Sequence, residues 1–195
     1  MVFKNYINKI ANFTINRLAE LIGVFLIITS ILLFVSLISY SPEDPNFIFP
    51  ENTEINNLLG FHGSYVSDLF FQSLGLIAYL IPVTYIFTGI NIFKKKELLL
   101  LIENTFFIIL FSLFGSLFFS FFYNNAFTLF INGNGGFVGS FLASIFQLTF
   151  INTYENIFYY LLIIFIILLF FKSINFSIKN FIKSFKKIIK IFSNK

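Results

Sequence analysis

Residues 21–39 read LIGVFLIITSILLFVSLIS, nineteen positions with no charge and only four hydroxyls interrupting the aliphatic run. A helix needs about 20 mostly apolar residues to cross a hydrocarbon core about 30 Å thick, and Glu20 to Ser39 supplies that length. The flanks have opposite characters. Lys4, Lys9 and Arg17 precede the run, whereas Tyr40-Ser-Pro-Glu-Asp-Pro45 ends it with two carboxylates between two prolines. The apolar core exceeds the 7 to 15 positions of a cleavable leader and no Ala-x-Ala-like site follows, so the run reads as a retained signal anchor.

The rest of the chain has the same character. Over 195 residues, 57% are hydrophobic, 11% are charged and the mean hydropathy is +0.87. A soluble surface of this size needs about a quarter of its residues charged, so an all-α, polytopic membrane protein is expected. The spans are placed at about 20–39, 69–93, 100–122 and 155–171. Gln72, Pro82 and Asn91 interrupt the second, and Pro82 in mid-span predicts a kink, because proline removes a backbone donor that neighbouring helices must compensate. The apolar stretch 137–150 would make a helix of only about 21 Å. It is therefore expected as an interfacial or re-entrant half-helix, entered through the flexible Asn132-Gly-Asn-Gly-Gly136.

Charge sets the expected topology. Lys and Arg occur before the first span, at Lys94-Lys95-Lys96, and from Lys172 to Lys195, while residues 40–68 and 123–156 contain none. Basic residues concentrate on the cytoplasmic side, so both termini are expected inside. The organisation is then a basic amphipathic segment at 1–17, a membrane domain at 18–172 and a basic tail at 173–195. In the tail, Ile174, Ile178, Phe181, Ile182, Phe185, Ile188, Ile189 and Phe192 project within an arc of roughly 120°, opposite Lys179, Lys183, Lys186, Lys187 and Lys190. Such a helix suits the anionic inner leaflet rather than nucleic acid. Phe3, Ile7, Ile10 and Leu18 repeat the scheme more weakly as a second surface helix.

Candidates for chemistry are few. Cysteine is absent, His62 is the lone histidine, and no catalytic, cofactor or metal site is expected. Ser41-Pro-Glu-Asp44 resembles a capped helix start that Pro45 stops, and adjacent Glu43 and Asp44 diverge too far to act as an acid–base pair. Asp68, after Ser64 and Ser67, is expected at the outer edge of the second span, facing a helix dipole. Glu103 is placed near the inner headgroups, beside Lys94 to Lys96. Ser112, Ser116 and Ser120, with Gly115, align small side chains for close helix contact, within the bundle or between subunits. Glu103 and the glycine-rich half-helix also suggest an alternative, a small transporter or channel component, although the spans lack the midplane polar sites that transport requires. An intramembrane enzyme would need a His cluster, a cysteine or a Ser–His pair.

Three motifs carry a resemblance. Leu37-Ile-Ser-Tyr-Ser-Pro-Glu-Asp-Pro-Asn46, Leu59-Gly-Phe-His-Gly-Ser-Tyr-Val-Ser-Asp-Leu-Phe70 and Gly75-Leu-Ile-Ala-Tyr-Leu-Ile-Pro82 are similar to the four-helix membrane domain of FtsK-type DNA translocases. The matching positions are Ser39, Pro42, Asp44, Pro45, Gly60, Gly63, Asp68, Phe70, Gly75, Ala78, Tyr79 and Pro82. Gly135, Gly136 and Gly139 resemble the glycine-bearing segment before that domain's last helix. Ser64 stands where the family tends to have alanine, and Leu74 where it tends to have phenylalanine. The resemblance implies anchorage in the bacterial inner membrane, a place at the division septum, and contact with division proteins or further copies of the chain. In full-length members the domain also tethers a cytoplasmic hexameric motor. No G-x-x-x-x-G-K-[ST], nor any Gly-Lys pair, is present to cradle nucleotide phosphates. With 23 residues after Lys172, the expectation is a non-enzymatic anchor for septum assembly and chromosome segregation, as a stand-alone or split form served by a separate motor subunit.

Overall fold

The computed structural model describes residues 2–45, 54–123, 132–145 and 155–177. The tail lysines Lys179, Lys183, Lys186, Lys187 and Lys190, and the last five residues of the expected half-helix, lie outside these. The regular structure described is helical: α1 (Val2–Ile38), α2 (Gly60–Leu74), a 3₁₀ segment (Gly75–Tyr79), α3 (Leu80–Lys95), α4 (Leu99–Phe122), α5 (Gly136–Ile145) and α6 (Glu155–Ser173). Four stretches are long and apolar enough to cross a membrane: Tyr6–Ile38, Gly60–Lys95, Leu99–Phe122 and Glu155–Ser173. These are the four expected spans.

Their bounds differ in instructive ways. Residues 3–18 are helical as expected, but they continue α1 without a break, so the amphipathic segment and the first span form one rod of 37 residues, about 55 Å long at 1.5 Å per residue. The second span starts at Gly60 rather than near Leu69 and is broken, but not at Pro82. Pro82 is the third residue of α3, fully buried, in the first turn, where a helix tolerates a missing N–H best. The break precedes it, as the 3₁₀ segment opened by Gly75 at φ 71°.

The long helices pack as a row, α1 on α3, α3 on α4 and α4 on α6, with α2 and α5 filling in at the lysine-free end. Glycine sets the tightest approach. A Cβ on Gly89 would lie 2.6 Å from the carbonyl oxygen of Gly23, and one on Gly23 2.8 Å from that of Gly89, so α1 and α3 meet backbone to backbone as small-residue membrane contacts do. In the middle of the row, Ile77, Ile81, Ile108, Phe111, Phe118, Leu162, Ile166 and Leu169 form the main apolar core.

Polar contacts fasten the lysine-bearing end. Lys96, left-handed at φ 61°, closes α3 through its N–H to the Ile92 carbonyl at 2.7 Å. Its ammonium reaches Glu20 at 2.8 Å, and Arg17 reaches the other Glu20 oxygen at 2.5 Å. Deeper, Asn104 donates to the Thr88 hydroxyl at 2.9 Å and accepts from the Asn175 carboxamide at 2.8 Å. Thr84 meets Ser173 at 3.3 Å, and Asn91 donates to the Ile174 carbonyl at 3.4 Å. The exit of α6 is thereby tied to α3 and α4. Replacing the fully buried Asn104 by leucine removes two of these bonds and strands the Asn175 donor. Each such bond contributes roughly 0.6–1.7 kcal/mol in a membrane bundle, so a loss of about 2 kcal/mol is expected in reversible unfolding followed by circular dichroism in detergent micelles.

Candidate functional site

The loop that leaves α1 and the loop that enters α2 form a polar knot at the lysine-free end. Its hub is Asn57, buried three residues ahead of α2. The Asn57 carboxamide donates to the carbonyls of Ser36 at 2.9 Å and Ser39 at 3.3 Å, and its oxygen accepts from the Leu59 N–H at 3.1 Å. The last contact is an Asx-type turn, which asparagine makes with the backbone two residues on. Asp44, 1% exposed, accepts the Asn56 and Asn57 N–H groups, each at 2.8 Å. Ser39 accepts from the Leu58 N–H at 3.1 Å, and Ser64 donates to the Pro45 carbonyl at 3.0 Å. Ser36 donates to the Gly63 carbonyl at 2.6 Å. A Cβ on Gly63 would overlap the Asn57 carboxamide and lie 2.6 Å from the Leu59 Cβ, which accounts for glycine there.

Ser41 to Asp44 is therefore a turn, with the Asp44 N–H on the Ser41 carbonyl at 3.3 Å and Pro42 in its second position, where proline's fixed φ fits. No helix starts at Pro42, which corrects the reading of this stretch as a capped helix start. The carboxylates do diverge: Glu43 is exposed and Asp44 buried. Asp68 also differs from expectation. It lies in the middle of α2, because that helix begins eight residues earlier, and it faces no dipole end. Its carboxylate accepts from the Tyr40 hydroxyl at 3.1 Å and from Gln72 at 3.4 Å. Burial, the Asp68 charge, the hydrogen bond to Asp68 and the Asp44 charge together push the Tyr40 phenol well above its ordinary value. The stability tied to that raised pKa is fully present below the ordinary phenol pKa, about 10, and is lost only as pH rises through the raised value. Tyr40 thus remains a donor throughout the physiological range.

A second constellation joins the break in the second span to the half-helix. Gly75 has φ 71° and ψ −150°, a conformation open essentially to glycine alone. The next N–H, of Leu76, donates to the Asn134 carbonyl at 2.9 Å. A Cβ on Gly75 would overlap that carbonyl, and one on Gly136, itself at φ 64°, would lie 2.6 Å from the Gly75 nitrogen. Gly135 and Gly139 press on the Ser116 carbonyl and the Ser120 hydroxyl, leaving no space for a side chain. Ser116 donates to the Leu74 carbonyl at 2.8 Å, at the end of α2. The serine stripe of α4 is thus packed within the bundle, against α5 and the α2–α3 break.

The motif residues accordingly fall into two groups. Ser39, Pro42, Asp44, Pro45, Gly60, Gly63 and Asp68 belong to the knot or its loops. Gly75, Gly135, Gly136 and Gly139 form the joint. Between them, Tyr79 donates to the Leu37 carbonyl at 3.4 Å and edges onto Phe71, while Ala78 is fully buried and Phe70 packs beside it. Nothing here arranges a nucleophile with a base. Among the described residues no three His, Cys, Asp or Glu side chains are grouped to hold a metal. His62 is exposed in the first turn of α2, and Glu103 is exposed on α4. The sequence did not single out Asn57 and marked Asn134 only as part of a flexible entry; the cue was an asparagine two or three residues ahead of a helix, in Asn57-Leu-Leu-Gly60 and in Asn134-Gly-Gly136.

Residues 16–186 match the profile of the 4TM region of DNA translocase FtsK/SpoIIIE. The chain belongs to this family. The FtsK/SpoIIIE 4TM match covers both the knot and the joint. DNA translocase FtsK of Rickettsia bellii is 40% identical over 60 residues, 31% of this chain and 8% of that protein. FtsK of Azospirillum brasilense is 33% identical over 87 residues, 44% of this chain and 14% of the relative. FtsK of Rickettsia typhi is 34% identical over 91 residues, 47% and 12% respectively. The matched segments thus span about a tenth of the length of these FtsK relatives. No solved structure matches the chain.

Proposed function

We propose that this 4TM chain is a non-enzymatic anchor in the bacterial inner membrane, acting in septum assembly and chromosome segregation beside a DNA-translocating motor. The observation that carries the reading is the family match across the whole bundle. The geometry agrees with it, because the motif side chains are spent on holding loops and helices together. The 195 residues contain no P-loop, so the motor activity would come from other residues or another chain. Partners are further copies of this chain, division proteins or that motor, with the anionic inner leaflet beneath the lysines.

The orientation proposed is both termini inside, from the basic-residue asymmetry. With no native cysteine, single cysteines report it directly. In intact cells, Leu58→Cys at the exposed tip of the knot is expected to react with a membrane-impermeant maleimide, and Lys95→Cys only after permeabilisation; the reverse pattern overturns the topology. A fluorescent fusion in the host is expected to concentrate at the division site. Uniform membrane fluorescence, with no division protein captured by crosslinking, overturns the septal role.

A further inference from the structure

At the lysine-bearing end, a groove of about 390 Å³ runs beside the α1–α3 contact, lined by Arg17, Glu20, Leu21, Val24 and Phe93. Its volume lies within the roughly 300–1,000 Å³ of ligand-binding clefts. The two ends of the groove differ in chemistry. At the mouth, the Glu20 carboxylate holds Arg17 through one oxygen and Lys96 through the other, so two cations surround one anion and a single positive charge remains. Arg17 keeps donors to spare, since a guanidinium carries five N–H groups and its side chain is 59% exposed. Beyond the mouth the walls are hydrocarbon: Leu21, Val24 and Phe93 are each exposed along the trough.

We propose that this groove binds one anionic phospholipid, its phosphate on Arg17 and Lys96 and an acyl chain along Leu21, Val24 and Phe93. The excess charge selects an anion, and guanidinium geometry suits phosphate oxygens. The Glu20 charge is already neutralised by Arg17 and Lys96, so it offers little attraction to the cationic end of a zwitterionic headgroup. Lys94 and Lys95 are exposed at the same end of α3, as is Glu97 just beyond it, and none of the three lines the groove. The apolar trough is what distinguishes a lipid from a free phosphate, which would use the mouth alone. The site does not rest on the septal reading or on the direction of insertion.

Native mass spectrometry of the purified chain in detergent micelles tests it. One phosphatidylglycerol is expected to remain bound at concentrations where phosphatidylcholine does not, with glycerol 3-phosphate failing to compete. Arg17→Gln is expected to weaken phosphatidylglycerol at least tenfold, and Val24→Trp, which fills the trough from an exposed position, by a similar factor. Lys95→Gln is expected to change it less than twofold. Equal retention of the two lipids overturns the proposal, as does competition by glycerol 3-phosphate or unchanged binding in either groove variant. A loss in Lys95→Gln as large as in Arg17→Gln also overturns it, by showing diffuse charge attraction in place of a site.

Discussion

Alanine at position 75 is expected to destabilise the bundle by on the order of 4 kcal/mol and to detach the half-helix from the row. Three costs combine there. A side chain at φ 71°, ψ −150° sits in backbone space reserved for glycine, which alone costs about 1–3 kcal/mol. The new methyl would overlap the Asn134 carbonyl, so either α5 or the 3₁₀ segment must move. That movement breaks the Leu76–Asn134 hydrogen bond and leaves a backbone donor and a backbone acceptor unpaired. Gly60 supplies the control: it also has positive φ, 63°, but a Cβ there meets nothing within 4 Å. Gly60→Ala is therefore expected to cost only about 1 kcal/mol. Denaturant titration of both variants in micelles measures the difference, and a Gly75→Ala as mild as Gly60→Ala would show that α5 is not held through this joint.

Asp44→Ala carries the second large effect, about 3 kcal/mol or more. The carboxylate is buried and accepts two backbone N–H groups at 2.8 Å. Its removal leaves both donors unsatisfied, at about 1–3 kcal/mol each, and frees the segment that positions Asn57. Asp44→Asn keeps one acceptor oxygen and is expected to lose about half as much. Alanine at the neighbouring Glu43, exposed in the same turn, is expected to fall within about 0.5 kcal/mol of the parent protein. Hydrogen exchange at the Asn56 and Asn57 amides gives a local readout: fast exchange in the alanine variant, and protection in the parent and the Glu43 variant. Unchanged protection in Asp44→Ala would remove Asp44 from the knot.

The same contrast explains what the sequence made legible. Hydropathy and length locate a span wherever apolar residues run long enough, and Leu21–Ser39 and Leu99–Phe122 emerged for that reason. They do not locate a helix end that is polar. Gly60-Phe-His-Gly-Ser64 begins α2 with residues that score as loop, and Ser64 and the later Ser67 turn inward to bond the Pro45 and Gly63 carbonyls. The apolar count therefore starts near Leu69, and Asp68, mid-helix in the structure, scores as terminal by hydropathy. Pro82 likewise signals a disturbance, whereas the residue that makes it is Gly75, whose unusual dihedrals depend on a contact with Asn134, 59 positions away. Local composition cannot carry that information. Residues 3–18 pattern as a surface helix, and periodicity gives no sign of whether such a segment bends at the headgroups or continues straight.

It continues as one helix, and this has a mechanical consequence. A helix of 37 residues without a proline or a π-bulge lacks the commonest sites of a sharp kink, so a pull on its first turns is carried along it to its far tip. That tip carries Ser36, whose carbonyl receives the Asn57 carboxamide and whose hydroxyl grips the Gly63 carbonyl. Load applied on one side of the bilayer would thus be felt as shear on the loop fastening of the other.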